Sequence, residues 1–265
     1  MDSERHKGKV VFITGGGSGF GRETALRFAQ EGAERIYIVD RRPERLDTVA
    51  VELRELGTHA GTIEADLAEV SECDRAIGEA YSEAGRIDVA ISNAAAWTEE
   101  PFLDLKDESW HRVIAVDLTA GFVIGQRAAR AMVETKTPGV ILYTASISSL
   151  GASPLFSHYS AAKAALVNLV KTMAIELAQH GIRVNAVSPG PSDTQQSVDI
   201  VGEETMERFR ESFPIVPLGR LGRAEDIAAA FSYLASDDAA YVSGANLIVD
   251  GALTAHAYSI PEVGQ

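Results

Sequence analysis

Short apolar, β-branched runs bounded by polar turns recur along this chain, and longer segments with helical apolar spacing lie between them. The runs fall at Lys9–Thr14, Arg35–Val39, His59–Glu64, Asp88–Ser92, Gly139–Ser146, Arg183–Ser188 and Ala245–Val249. A stretch such as Val10-Val11-Phe12-Ile13 is apolar on both sides of the pleat, so both faces of its sheet must be covered. The alternation predicts an α/β fold, a doubly wound seven-stranded parallel sheet with helices on both faces. The longest helical patterns, Glu108–Glu134 and Ser157–His180, can each span the sheet. No linker, repeat or low-complexity tract interrupts the sequence, so residues 1–265 are expected to form one domain. Thr194–Phe213 has no strand partner, but it holds a helical pattern, Glu203–Phe213, ahead of Pro214 and Pro217. It reads as a lid over a pocket, at about residues 191–218.

The formal net charge of −14 argues against nucleic acid and against an anionic membrane surface. The N-terminal residues carry charges but no apolar core, and no run of about 18 apolar residues occurs, so a cytoplasmic protein is expected. A single cysteine, Cys73, fits a reducing compartment. The six histidines lack metal-ligand spacing, and no metal is expected.

Directly after the first strand comes Thr14-Gly15-Gly16-Gly17-Ser18-Gly19-Phe20-Gly21, followed by a helical run, Arg22–Gln30. Glycines between a strand and a helix let the backbone turn tightly and approach a pyrophosphate, whose charge the helix N-terminus favours. This makes the sheet Rossmann-type and the loop a candidate dinucleotide cradle, with Gly15, Gly17, Ser18, Gly19, Phe20 and Gly21 at the phosphates. Asp40, 19 residues after Gly21, ends the second strand, where a carboxylate can accept from both adenosine ribose hydroxyls and repel a 2′-phosphate. A turn or helix-capping role suits Asp40 as well. Arg41 and Arg42 favour the extra phosphate of NADP, but position 18 is Ser rather than a base, and NAD is the expected cofactor. Asp66 and Leu67, past the third strand, would lie near the adenine, and a solvated loop aspartate is the alternative reading of Asp66.

Tyr159 and Lys163 are four apart in a helix-forming run, so they share one face with Cβ atoms about 5–6 Å apart. A phenol that titrates near pH ~10 needs help to act as a base near neutrality. An ammonium at about 4 Å and an effective dielectric of ~20 supplies roughly 4 kcal/mol, or about three pKa units, before desolvation subtracts from it. A Ser-rich strand end, Tyr143 to Ser149, can bring a hydroxyl to the same substrate oxygen.

With these residues the sequence resembles the short-chain dehydrogenase/reductase family over nearly its whole length. The family's T-G-x-x-x-G-x-G matches Thr14 to Gly21, and its Y-x-x-x-K matches Tyr159 and Lys163. Its catalytic Ser, thirteen residues before the Tyr, falls on Ser146. Asp66-Leu67, Asn93-Ala94, Arg183-Val184-Asn185, Ser188-Pro189-Gly190 with Thr194, and Val249-Asp250-Gly251 also match. The resemblance implies that Tyr159 moves the alcohol proton, that Lys163 lowers the phenol pKa and holds the nicotinamide ribose, and that Ser146 hydrogen-bonds the substrate oxygen. It adds Asn93, Ala94, Pro189, Gly190, Ser192 and Thr194 to the cofactor contacts, and implies a homotetramer.

Three positions depart from the family. Asp117, in Val116-Asp117-Leu118, stands where Asn is usual and puts an extra carboxylate near Lys163, so Asp117 joins the catalytic candidates. Ala95 replaces a glycine, and Ser192 replaces an apolar residue. Trp97, Tyr143, Ser148, Leu150, Phe156 and Pro191 are candidates to line a pocket for an apolar or aromatic secondary alcohol or ketone, and His158 reads as a helix-entry histidine, with contact to substrate as the alternative. An NADP-dependent ketone or 3-oxoacyl reductase, an isomerase that recycles bound NAD, and a non-catalytic NAD-binding regulator are the alternatives.

Overall fold

In the computed structural model, which describes residues 4–255, seven parallel strands form one sheet in the order β3-β2-β1-β4-β5-β6-β7. These are β1 (Val10–Thr14), β2 (Arg35–Asp40), β3 (His59–Glu64), β4 (Val89–Ser92), β5 (Val140–Thr144), β6 (Arg183–Pro189) and β7 (Asn246–Val249). All seven expected runs are strands; His59–Glu64 has the expected bounds, and the other six differ by a residue or two at one end or both. Asp88, just before β4, accepts the Val10 N–H on its carboxylate at 2.7 Å. Ser146 leaves β5 because its hydroxyl accepts the Ser148 N–H at 3.1 Å and opens a short 3₁₀ turn, Ile147–Ser149. The end of the C-terminal tail, residues 256–265, lies outside the described residues.

The helices are α1 (Gly19–Gln30), α2 (Pro43–Glu55), α3 (Val70–Ala84), α4 (Asp107–Ile114), α5 (Ala120–Glu134), α6 (Ser157–Leu177), α7 (Gln195–Val201), α8 (Glu203–Glu211) and α9 (Ala224–Ala235). Strand alternation sorts the core into two layers. Val10 and Phe12 pack with residues of α3, α5 and α6, whereas Val11 and Ile13 pack with residues of α1, α2 and α9. Truncating a buried Phe costs about 3–5 kcal/mol, so a polar residue in β1 would lose a layer on one side or the other. Among the described residues no helix is long and apolar enough to cross a membrane.

β1 pairs with β2 on one side and β4 on the other, so the chain changes direction across the sheet between β1 and β4. A crevice opens beyond the strand C-termini at such a switch point. Two features above it differ from expectation. The helix expected over 108–134 is interrupted by a π turn, Ala115–Thr119, which inserts an extra residue between α4 and α5 and buries Asp117 at 2% exposure. The segment after β6 holds two helices rather than one. Thr194 starts α7 by accepting the Ser197 N–H at 3.2 Å, and Gly202, with φ +82°, divides α7 from α8.

Candidate active site

The crevice is a cavity of about 890 Å³, within the range of small-molecule and cofactor sites, about 300–1,000 Å³. Its lining contains Gly15, Ser18, Gly19, Phe20, Asp40, Arg41, Asp66, Leu67, Asn93, Ala94, Ser146, Tyr159, Pro189, Gly190, Ser192 and Thr194 of the expected set. Ser148, Trp97, Phe156 and Pro191 also line it. Gly17, Gly21, Lys163 and Asp117 lie behind this surface, as the packing explains.

At one end the glycine loop turns through Gly15, whose φ of +65° an L side chain rarely adopts. A Cβ on Gly21 would overlap the Gly15 carbonyl oxygen and approach Asn93 Nδ2 to 2.7 Å. The loop is therefore closed on itself, and its outer surface leads into the start of α1. Ser18 occupies the N-cap position without bonding the first turn of α1; its hydroxyl instead accepts from Arg45 Nη1 at 3.0 Å. A first turn left uncapped at a cavity is where a phosphate group fits, so the loop suits a dinucleotide.

Asp40 serves two readings at once. Oδ1 accepts the Arg42 N–H at 3.1 Å, the turn role, while Oδ2 lies only 2.9 Å from where a Gly17 Cβ would stand, alongside the loop. Asp66 bonds the Ala68 N–H at 3.0 Å and pairs with Arg112 at 2.8 Å, which holds its carboxyl below the usual range. Asn93 braces the strand ends. Its Nδ2 donates to the Thr14 carbonyl at 3.1 Å, and its Oδ1 accepts from Thr144 Oγ1 at 2.8 Å.

At the other end α6 carries Tyr159 on the cavity wall and Lys163 one turn deeper, at 1% exposure, with Nζ 5.3 Å from the phenol ring centre. Lys163 Nζ donates to the Thr144 carbonyl at 2.9 Å and forms an ion pair with Asp117 Oδ1, also at 2.9 Å. Asp117 Oδ2 accepts the Ala96 N–H at 2.8 Å. The Trp97 and Phe156 rings meet Tyr159 edge-on, with centroids 5.6 and 6.4 Å away. Burial pushes the Tyr159 phenol above its ordinary value; Lys163 pulls it down, Asp117 pushes it up, and Ser146 pulls it down through a hydrogen bond. The net direction is upward, contrary to the lowered phenol the resemblance implies. Desolvation opposes the Lys163 ammonium, but Asp117 and Tyr159 outweigh it and hold its pKa above the ordinary lysine value.

Two sequence expectations fail here. Tyr143 does not line the cavity: it lies inside β5, packed with Ile141 in the layer of α3, α5 and α6, and its hydroxyl donates to the Gly121 carbonyl at 3.2 Å. Leu150 is half exposed and outside the lining. His158 fits the helix-entry reading: it is fully buried, bonded to Thr98 Oγ1 at 2.9 Å, and outside the cavity lining. Conversely, the cavity gains Arg45 and Arg112, which sequence reasoning passed over, together with Ile200, Val201, Met206, Phe209 and Phe213 of the 191–218 segment. A hint of Arg45 was available, since it lies three residues beyond Arg42 at the start of a Pro-initiated helix; Arg112 reaches Asp66 only through tertiary packing.

A family model described as "Enoyl-(Acyl carrier protein) reductase" matches residues 15–254. The chain is 36% identical over 250 residues to the 3beta-hydroxysteroid dehydrogenase 1 of Eggerthella lenta, with 94% of each covered. It is 34% identical over 247 residues to the L-rhamnose 1-dehydrogenase (NAD(P)(+)) of a Sphingomonas species, covering 93% of this chain and 96% of that one. The crystal structure of a short-chain type dehydrogenase/reductase from Mycobacterium marinum superposes with a TM-score of 0.87 at 35% identity, covering 96% of this chain and 99% of that one. The chain belongs to the short-chain dehydrogenase/reductase family. It is an oxidoreductase, and its cofactor is an NAD(P) dinucleotide.

Proposed function

We propose that the protein interconverts a secondary alcohol and its ketone with NAD, taking a substrate that is apolar or aromatic around the carbinol carbon. The observation that carries this reading is the convergence of Tyr159 and Ser146 on one cavity wall, with Lys163 buried directly behind the phenol. The dehydrogenase names of the two curated relatives support the reaction type.

In this reading Gly15, Gly17, Gly19, Gly21, Ser18 and Phe20 hold the pyrophosphate, and Asp40 with Arg41 the adenosine ribose. Asp66 and Leu67 flank the adenine, while Asn93, Ala94, Pro189, Gly190, Ser192 and Thr194 position the nicotinamide half. When bound, the nicotinamide accepts a hydride in oxidation and donates one in reduction. Ser146 donates a hydrogen bond to the substrate oxygen, and Tyr159 carries the proton on or off it. Negative charge develops on that oxygen during transfer, and donors already aimed at it need no reorganisation. Lys163 holds its charge beneath the phenol.

Ile200, Val201, Met206, Phe209 and Phe213 give the lid segment an apolar inner surface, which supports the substrate class. Exposed Phe122, Val133 and Ile175 on α5 and α6 support a homotetramer.

A second reading, NADP in place of NAD, draws on Arg41, Arg42 and Arg45 around the ribose end of the cavity. Both are tested together by following reduced nicotinamide over a panel of secondary alcohols with each dinucleotide. Turnover with NAD is expected, and Asp40→Ala should shift the NADP-to-NAD preference at least about tenfold, or about 1.4 kcal/mol. Binding of dinucleotide without turnover across the panel would instead favour a regulator.

A further inference from the structure

The π turn Ala115–Thr119 carries the Asp117 carboxylate at the position where the family usually has an Asn. Asp117 is buried, with one oxygen 2.9 Å from Lys163 Nζ and the other accepting the Ala96 N–H at 2.8 Å. Lys163 therefore meets the phenol already paired with a carboxyl group, whose pKa burial raises against the pull of Lys163 and the Ala96 N–H. The other groups facing this cluster are few. Ser146 reaches the phenol from the end of β5. His158 comes from α6, tied to Thr98, whose hydroxyl donates to Glu100 at 2.8 Å. The ammonium and the carboxylate act on the phenol with opposite signs, in a site that water screens little.

Carbonyl reduction and alcohol oxidation make opposite demands on that phenol. In reduction the carbonyl carbon gains a hydride from reduced nicotinamide, its oxygen gains the Tyr159 proton, and the phenolate left behind recovers a proton from water. In oxidation the phenolate must be present first. We infer that Asp117 is a positioning residue that offsets the field of the Lys163 ammonium at the phenol and so keeps Tyr159 in its proton-donating form at neutral pH, setting the site for carbonyl reduction. Through Ala96 the same carboxylate anchors the loop that presents Trp97 to the Tyr159 ring.

This inference rests on Tyr159 as the proton-transfer group, and its test separates the two. In the unmodified enzyme, the rising limb of alcohol oxidation against pH should lie above neutrality; a limb at or below neutrality overturns the inference without any variant. In Asp117→Asn, and in Asp117→Ser should Asn impair folding, the limb should move at least about one unit toward acid. Each unit corresponds to an increase of roughly tenfold in oxidation at a fixed pH below the limb. A cofactor-free readout is the ultraviolet titration of phenolate, taken as the difference from the same protein carrying Tyr159→Phe. The step lost with Tyr159 should come at lower pH once Asp117 is replaced. A step and a limb that stay in place, or move toward alkali, overturn the role of Asp117. Unimpaired turnover in Tyr159→Phe alone would overturn the underlying reading instead.

Discussion

Tyr159→Phe is expected to lower kcat by on the order of 10²–10⁴-fold, the usual contribution of a positioned acid/base, while leaving dinucleotide affinity within a few-fold of the original. The substitution removes one oxygen and keeps the ring, so the edge contacts with Trp97 and Phe156 survive. Lys163 keeps its bonds to Thr144 and Asp117 and stays buried. Steady-state kinetics with dinucleotide titration by fluorescence separates the two quantities. A fall in affinity without a fall in kcat would assign Tyr159 to binding rather than to proton transfer.

Gly21→Ala should weaken dinucleotide binding by roughly 10–100-fold, equivalent to about 1–3 kcal/mol of crowding. The new Cβ would overlap the Gly15 carbonyl oxygen and press on Asn93 Nδ2. Neither neighbour moves cheaply: Gly15 is backbone at a positive φ, and Asn93 holds the ends of β1 and β5 together. The loop would have to open, and its alignment with the first turn of α1 would be lost. Gly78→Ala is the control, because nothing lies within 4 Å of its Cβ on α3. Calorimetric titration with NAD, alongside thermal melting of both variants, checks this; unchanged affinity in Gly21→Ala would mean that the loop does not shape the cradle.

The parts of this molecule that follow local rules were legible in the sequence. Apolar runs such as Val10–Ile13 must be strands buried on both faces, and a Tyr and a Lys four apart must share a helix face. The glycine loop between β1 and α1 follows from the same kind of reasoning. Where the reading failed, the missing information was not local. A π turn adds one residue to a helix without leaving a periodic trace, so the segment carrying Asp117 reads as unbroken helix. Tyr143 has the parity of Ala145, which lines the cavity, but it sits two residues deeper in β5, where its hydroxyl is taken up by the Gly121 carbonyl of α5. Arg112 reaches Asp66 across 46 positions of sequence, a distance that only the fold closes. The direction of the Tyr159 shift depends on how burial balances three neighbours, and spacing along one helix reports only one of them.

The most direct test of the proposed chemistry follows the hydrogen on the carbinol carbon. A secondary alcohol deuterated at that carbon, incubated with the enzyme and NAD, should place one deuterium on nicotinamide C4 per ketone formed, with none released to water. Deuterium appearing in solvent, or ketone formed without labelled dinucleotide, would contradict direct hydride transfer beside Tyr159.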